Sequence, residues 1–177
     1  MSIIAPARSE AHGRLVPYIG AWPVVYYEEA QRLRAVCGTA LLDIQHIGST
    51  AVPKLSAKNI IDIGILVQGP EEADGLIEAL QELGYSCDPA ASSSERHFFR
   101  KYGGEQSFHL SLAYREQGGF WQRQLAFRDY LRAHPEEREA YEALKAGLIS
   151  VDPSGGTEYL RGKTDFIERI LKIASEN

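Results

Sequence analysis

Cysteine is nearly absent. Cys37 and Cys87 are the only two in 177 residues, and no CxxC spacing joins them. That excludes a disulfide framework or a cysteine-based zinc site, and it makes a reducing cytoplasm the expected compartment. No apolar run approaches the roughly 20 residues of a membrane-spanning helix. Arg8 and Arg14 interrupt the weakly apolar first segment, so neither a membrane span nor a signal peptide is expected. A surplus of positive charge is missing as well. The formal net charge is −5, which excludes broad coating of nucleic acid, since that requires a basic surface. A small anion held in a local basic pocket stays open.

What is present suits a globular domain: 44% of residues are apolar and 24% charged, enough for one substantial core. Residues 1–23, interrupted by Pro6, Pro17 and Pro23, lack periodicity and read as an N-terminal arm with a short strand in "GRLVPYI". Residues 24–177 then read as a single domain. From Val24, the residues Tyr26, Ala30, Leu33 and Cys37 recur at helical spacing until Gly38 ends the run. "ALLDIQHI" and "NIIDIGILV" read as strands around a loop, and Glu71-Glu72 open a helix expected to run to Leu83. "YSCD" reads as a short strand. "HFFRKY" and "SFHLSLAY" flank Gly103-Gly104 as a hairpin. Three helices follow, marked by Phe120 to Leu131, by Pro135 to Leu148, and by a last one with Thr157 as N-cap and Phe166, Ile170 and Ile173 as its apolar stripe. The fold class is therefore α+β: a small mixed β-sheet with helices packed on it and a helical C-terminal third.

The stretch that departs from this ordinary patterning is "QHIGSTAVPKLSAKNIIDIG", residues 45–64. Gly48 and Ser49 leave the first strand where backbone N–H groups and a hydroxyl suit phosphate oxygens, although a Gly-Ser pair alone is usually a turn. Asp62 is a lone acid inside an apolar strand, and burying an unpaired carboxylate is costly. It could hold Mg²⁺, which favours oxygen ligands and substrate phosphates, or it could pair with a buried Lys or Arg. Lys58 is four residues earlier on the same strand face and could be that partner or a phosphate ligand. His46 and His109 are further candidates; a core histidine bonded to backbone is the rival reading for His46. Arg96, Arg100 and Lys101 are further groups that could surround an anion, with a solvated strand edge as the reading for most of them. Arg128, flanked by Phe127 and Tyr130, and Lys163, on the face of Tyr159 and Phe166, could both reach a cleft; a lysine in such a place usually snorkels to water.

Together, strand, Gly-Ser, loop and acid-bearing strand resemble the polymerase-β-type nucleotidyltransferase superfamily. "HIGSTAVP", "FHLSL", "FRDYLRAHP" and "KTDFIERIL" in this order more specifically resemble the GrpB-like family of predicted nucleotidyltransferases, over nearly all the chain after the arm. That resemblance implies a nucleotidyltransferase-like fold. It also implies a nucleoside triphosphate or other phosphate ligand with Mg²⁺, and nucleotidyl transfer to a small acceptor. In these terms Asp62 would hold the metal, with His109 beside it as a catalytic candidate, and His46, Gly48, Ser49, Thr50, Lys58, Arg128 and Lys163 would bind the phosphates. A related segment occurs fused to dephospho-coenzyme A kinases, so a non-catalytic ligand- or partner-binding module, acting as a folding accessory, is the alternative. Two-metal transfer needs paired carboxylates. The partner of Asp62 should stand two residues on, where side chains share a strand face, and that residue is Gly64; Gln45, His109 and Ser111 stand at other places where an acid is expected.

Overall fold

The computed structural model describes residues 14–176. Helix α1 (Trp22–Cys37) carries Pro23 in its first turn, which explains why it starts two residues earlier than its periodicity suggests. It buries Trp22, Glu29, Ala30, Leu33 and Cys37, spaced so that they lie along one stripe, and Gly38 ends it at φ 52°. Strand β1 (Asp43–Ile47) follows, then a loop containing a 3₁₀ turn (Ser49–Ala51), then β2 (Ile60–Val67). Helices α2 (Pro70–Gly75) and α3 (Ile77–Glu82) lead to β3 (Ser86–Cys87), β4 (Arg96–Lys101) and β5 (Ser107–Tyr114). The chain closes with α4 (Phe120–Ala133), α5 (Pro135–Val151), α6 (Thr157–Gly162) and α7 (Thr164–Glu176).

The five strands lie in the order β1-β2-β5-β4-β3. Only β2 and β5 run parallel; the other neighbours are antiparallel. β2 is an interior strand, paired along both edges, which accounts for its nearly continuous apolar sequence. Ile61, Ile63 and Ile65 point to one face, fully buried with Leu110, Leu112 and Phe99 beneath α1 and Leu80 of α3. Each such side chain contributes about 1.5–3 kcal/mol by leaving water.

The opposite face carries the polar rows. Ile47, Asp62, His109 and Arg100 are successive register partners across four strands, as are Gln45, Gly64, Ser111 and Phe98. The C-terminal helices cover this side, and their small core joins Leu131 and Tyr141 to Val52 and Leu55 of the β1–β2 loop. That loop is held to the helices before any ligand is considered.

Three local expectations differ from the structure. The helix expected from Glu71 to Leu83 is two helices, divided at Leu76, whose N–H turns back to Ala73 in a tighter bond. The final helix is also two, divided at Lys163. Its N-cap is Gly156 rather than Thr157. The Asp152 carboxylate accepts the N–H groups of Gly156 and Tyr159 there, which leaves the threonine no capping role. Gly162 lies so close to α5 that a Cβ would come within 2.3 Å of Leu148. The third concerns the arm. Its described part is tied to the β1–β2 loop through paired bonds between Val16 and Ala57; residues 1–13 lie outside the described residues. Cys37 and Cys87 are both free thiols. No described helix is long and apolar enough to cross a membrane.

Candidate functional site: a lysine-lined cleft around Asp62

Gly48 is the pivot. It leaves β1 at φ 71°, in the left-handed region that favours glycine. Asp62, the register partner of Ile47, lies directly against it: a Cβ at position 48 would be 2.5 Å from Asp62 Oδ2. Glycine is thus required twice, by the backbone angle and by the close approach of the carboxylate.

Helix α4 holds this turn in place. The buried Arg128 donates from Nη1 to the His46 carbonyl and to Gln45 Oε1, both at 3.0 Å, while Nε and Nη2 grip the Asp129 carboxylate. Arg132 donates to the Ala51 carbonyl from Nε and Nη2. The "FRDYLR" segment is therefore a pair of arginine clamps on either side of Gly48-Ser49. His46 is the register partner of Ile63, on the face opposite Asp62. Its ring stacks on Tyr26 and its Nε2 meets Thr50 Oγ1 at 2.9 Å. Burial pushes its pKa down to about 4, so it is neutral at ordinary pH. His46 and Arg128, expected as phosphate ligands, are engaged with the protein and hold the loop, while Thr50, whose hydroxyl meets His46, also lines the adjoining cleft.

The remaining expected residues converge. Ser49, Lys58, Asp62, His109 and Lys163 line a cleft of about 180 Å³ together with Lys145. Lys58 donates to the Gly155 carbonyl at 3.0 Å and lies 4.5 Å above the Tyr159 ring. Lys163 sits 4.4 Å from the same ring's centre. Lys145 is 1% exposed, donates to the Ser56 carbonyl and stands 3.3 Å from Ser49 Oγ. The expected Lys58–Asp62 pair does not form. Asp62 Oδ1 is instead 3.4 Å from His109 Nδ1, and His109 Nε2 is 2.8 Å from the Tyr102 hydroxyl.

Among the described residues, then, three ammonium groups face one carboxylate, and none of the three is ion-paired. Burial, reinforced by Lys163, pushes Lys145 down to about 7; burial and the neighbouring Lys58 push Lys163 down to about 8; burial lowers Lys58 too. Below pH 7 folded and unfolded chains both carry the charge on Lys145, and the folded state bears its full burial cost. As pH rises above 7 the folded chain sheds that proton while the unfolded chain keeps it, so stability rises with pH. Melting temperature in phosphate-free buffer should therefore climb between pH 6.5 and 9. Lys145→Met should flatten part of that climb; an unchanged slope would mean the amine is not buried as described.

A second cleft, of about 310 Å³, opens on the other side of Asp62 and shares Ser49, Asp62 and Lys163 with the first. Arg96, Phe98, Phe120 and Phe127 line it. Arg96 lies between the Phe98 and Phe120 rings, at 4.6 and 4.7 Å, and donates to Ser111 Oγ at 2.8 Å. The residues expected mostly as a solvated edge are partly covered. Arg96 points into this cleft, Arg100 pairs with Asp88, and Lys101 pairs with the buried Glu29.

The donor set does not fit a resident metal centre. Gly64 shares Asp62's face, but the place where an acid would project is filled: a Cβ there would be 3.1 Å from Trp121 Cζ3 and 3.3 Å from Ile47 Cδ1. Ser111, opposite Gly64, is already bonded to Arg96. No three His, Cys, Asp or Glu side chains converge as metal ligands among the described residues. Ammonium groups stand around the single carboxylate, and they repel a cation.

Sequence reasoning missed Lys145, Tyr159 and Tyr102, and placed Arg96 wrongly. Lys145 was detectable, because it lies four residues after Tyr141 and beside Leu144 on the apolar face of α5.

A family model described as GrpB protein matches residues 13–173. The chain belongs to the GrpB family. UPF0157 protein YqkA of Bacillus subtilis is 34% identical over 163 residues, 92% of this chain and 46% of that protein, so the chain spans about half the length of that relative. The crystal structure of conserved protein GrpB from Enterococcus faecalis superposes with a TM-score of 0.82 at 34% identity, covering 91% of this chain and 96% of that one. The dephospho-CoA kinase of Mycobacterium bovis is 30% identical over 169 residues, 89% of this chain and 40% of the kinase.

Proposed function

We propose that this GrpB-family chain binds a nucleotide, or a similarly phosphorylated small molecule, across the lysine-lined cleft and passes its nucleotidyl group to a small acceptor. The observation that carries this reading is the set of three lysines that line one cleft without forming a carboxylate ion pair among the described residues. Burial lowers their proton affinity, and for Lys145 and Lys163 the crowding of a neighbouring lysine lowers it further. Such crowding is unfavourable by itself and is relieved by an anion of several charges. Lys58 and Lys163 neutralise phosphate oxygens, Ser49 adds a hydroxyl, and Asp62 with His109 faces the reacting end. The lysines take the charge-neutralising part that Mg²⁺ plays in two-metal enzymes; a magnesium ion would enter only as the nucleotide's counter-ion, with Asp62 as its one protein carboxylate.

Similarity to part of a dephospho-CoA kinase supports a second reading, that of a module which assists a neighbouring domain and turns over nothing. Thermal unfolding with a nucleotide panel, with and without Mg²⁺, separates the two. A ligand at a hundred times its dissociation constant should stabilise the fold by about 2.7 kcal/mol, roughly 5–11 °C for a chain of this size. Lys163→Met should abolish that shift while raising the unliganded melting point at neutral pH, because a buried, crowded charge is removed. Absence of a shift with every nucleotide and with tripolyphosphate would leave the accessory reading.

A further inference from the structure

Ser49, Asp62 and Lys163 are the three residues that line both clefts. Of these only Ser49 carries a hydroxyl, and it stands at the junction where a group leaving one cleft would meet a group entering from the other. It follows a glycine at positive φ and opens a 3₁₀ turn, so its side chain is presented by a sharp bend whose flanks the two arginine clamps hold. Lys145 Nζ lies 3.3 Å away, a distance typical of an unliganded nucleophile and base.

We infer that Ser49 and Lys145 form a nucleophile–base pair that attacks phosphorus, so that transfer proceeds through a covalent Ser49 intermediate. The inference rests on the phosphate-binding reading of the same cleft, and it explains how that reading works without a second carboxylate.

The surroundings of Lys145 allow a neutral amine. Such an amine has two N–H bonds and one lone pair. Protonated, Lys145 donates to the Ser56 carbonyl and to Ser49 Oγ and faces the Tyr141 ring, whose centre is 5.0 Å away. Once it loses a proton, two N–H bonds keep the carbonyl and the ring, and the lone pair can turn to the Ser49 hydroxyl. The groups that set its charge are few. Lys163 from the α6–α7 junction disfavours the ammonium form and Glu142 on α5 favours it, but the Glu142 carboxylate is engaged with the Ser56 N–H. Burial decides the balance, holding Lys145 down to about 7.

In the first step the Ser49 Oγ–P bond forms as the bond from that phosphorus to pyrophosphate breaks. The Oγ proton passes to Lys145 Nζ, and pyrophosphate departs against Lys58 and Lys163. In the second, an acceptor hydroxyl entering by the Arg96 cleft displaces Ser49 Oγ. The serine recovers its proton from Lys145, and the Asp62 carboxylate, which lines both clefts, receives the acceptor's proton.

An alkyl fluorophosphonate, a phosphorus electrophile that loses fluoride to a reactive serine, tests the pair on the full chain. Intact mass and peptide mapping should find one adduct, on Ser49, absent from Ser49→Ala. Its rate of formation should rise with pH through about 7 as the amine becomes free. Lys145→Met, or Lys145→Arg where the first variant folds poorly, should slow labelling by roughly 100-fold or more. A chain left unlabelled at Ser49, a flat pH–rate profile, or a rate indifferent to both Lys145 variants would overturn the inference. Tripolyphosphate should protect Ser49 by occupying the lysines. Labelling without protection would keep the nucleophile pair and sink the nucleotide reading, so the two claims fail separately.

Discussion

Gly64→Asp is expected to cost about 4 kcal/mol of stability and to confer no affinity for divalent metal. A two-carboxylate ancestry would lead one to expect the reverse, because residues 62 and 64 share a strand face and their side chains could converge on ions. The structure closes that route. The new Cβ would press on Trp121 and Ile47. The carboxylate beyond it would meet only cations already engaged, Arg96 on Ser111 and Arg128 on Gln45, the two register partners of position 64. The protein would accommodate it by protonating the acid or by displacing the start of α4, and both are unfavourable. A melting point lower by roughly 8–16 °C corresponds to that loss at this chain length. Gly64→Ala separates the two contributions, since it adds the tight Cβ without the charge and should cost only about 1 kcal/mol. Differential scanning calorimetry and a Mn²⁺ titration on both variants supply the measurement. A Gly64→Asp protein as stable as the parent and binding Mn²⁺ more tightly would mean that Trp121 does not cover position 64, and two-metal chemistry would return.

With that position sealed, the site has one carboxylate and three amines, and any chemistry at phosphorus has to be arranged around that ratio. Positive side chains take over neutralisation of the phosphates, and proton transfer falls to groups that are neutral near pH 7. Lys145, at about 7, and Lys163, at about 8, divide these tasks. Between those values the first is increasingly a free amine while the second is still mostly an ammonium. Burial of differing depth can make two chemically identical side chains behave differently within one cleft.

The sheet was legible in the sequence because each of its signals is local. Alternation, the Gly103-Gly104 turn and the apolar run of β2 placed all five strands near their observed positions. Asp62 stood out for the same reason, as one charge among isoleucines. Helix breaks at Leu76 and Lys163 each follow a glycine, Gly75 and Gly162, but a lone glycine inside a helical pattern does not by itself end it. Packing decides, as where Gly162 lies against Leu148. Lys145 was hidden by the usual rule that a helical lysine is solvated. What buries it is the Ser49–Ser56 segment, some ninety positions earlier in the chain. Arg128 illustrates the hardest case. Its aromatic neighbours in sequence suggested an inward position, but its partners are a main-chain carbonyl and a glutamine amide. Neither leaves any mark on the sequence that could separate a clamp from a phosphate ligand.

That distinction predicts a large effect on folding. If Arg128 were a phosphate ligand, Arg128→Ala would weaken ligand binding and relieve an unliganded protein of a buried charge. As a clamp it should do the opposite: the His46 carbonyl and the Gln45 side chain lose their donor inside the protein, and Asp129 loses its bidentate partner. Each buried acceptor left unpaired costs about 1–3 kcal/mol, and the guanidinium's own packing is lost with them. The expected total is about 3 kcal/mol, or roughly 6–12 °C in melting temperature. Arg132→Ala is the comparison. Arg132 also donates to main chain, at Ala51, but its side chain is 40% exposed, so water can replace it and about 1 kcal/mol is expected. The effect on the site should follow from the loop rather than from charge. Without Arg128 the 48–51 turn loses its anchor, and Ser49 should become slower to label although no lysine has been changed. Arg128→Lys has a single nitrogen, which cannot serve the Nη1 acceptors and also grip both Asp129 oxygens, and should fall between the two. An Arg128→Ala protein that melts no lower than its parent would mean the clamp contributes nothing and would reopen the guanidinium's role as an anion ligand.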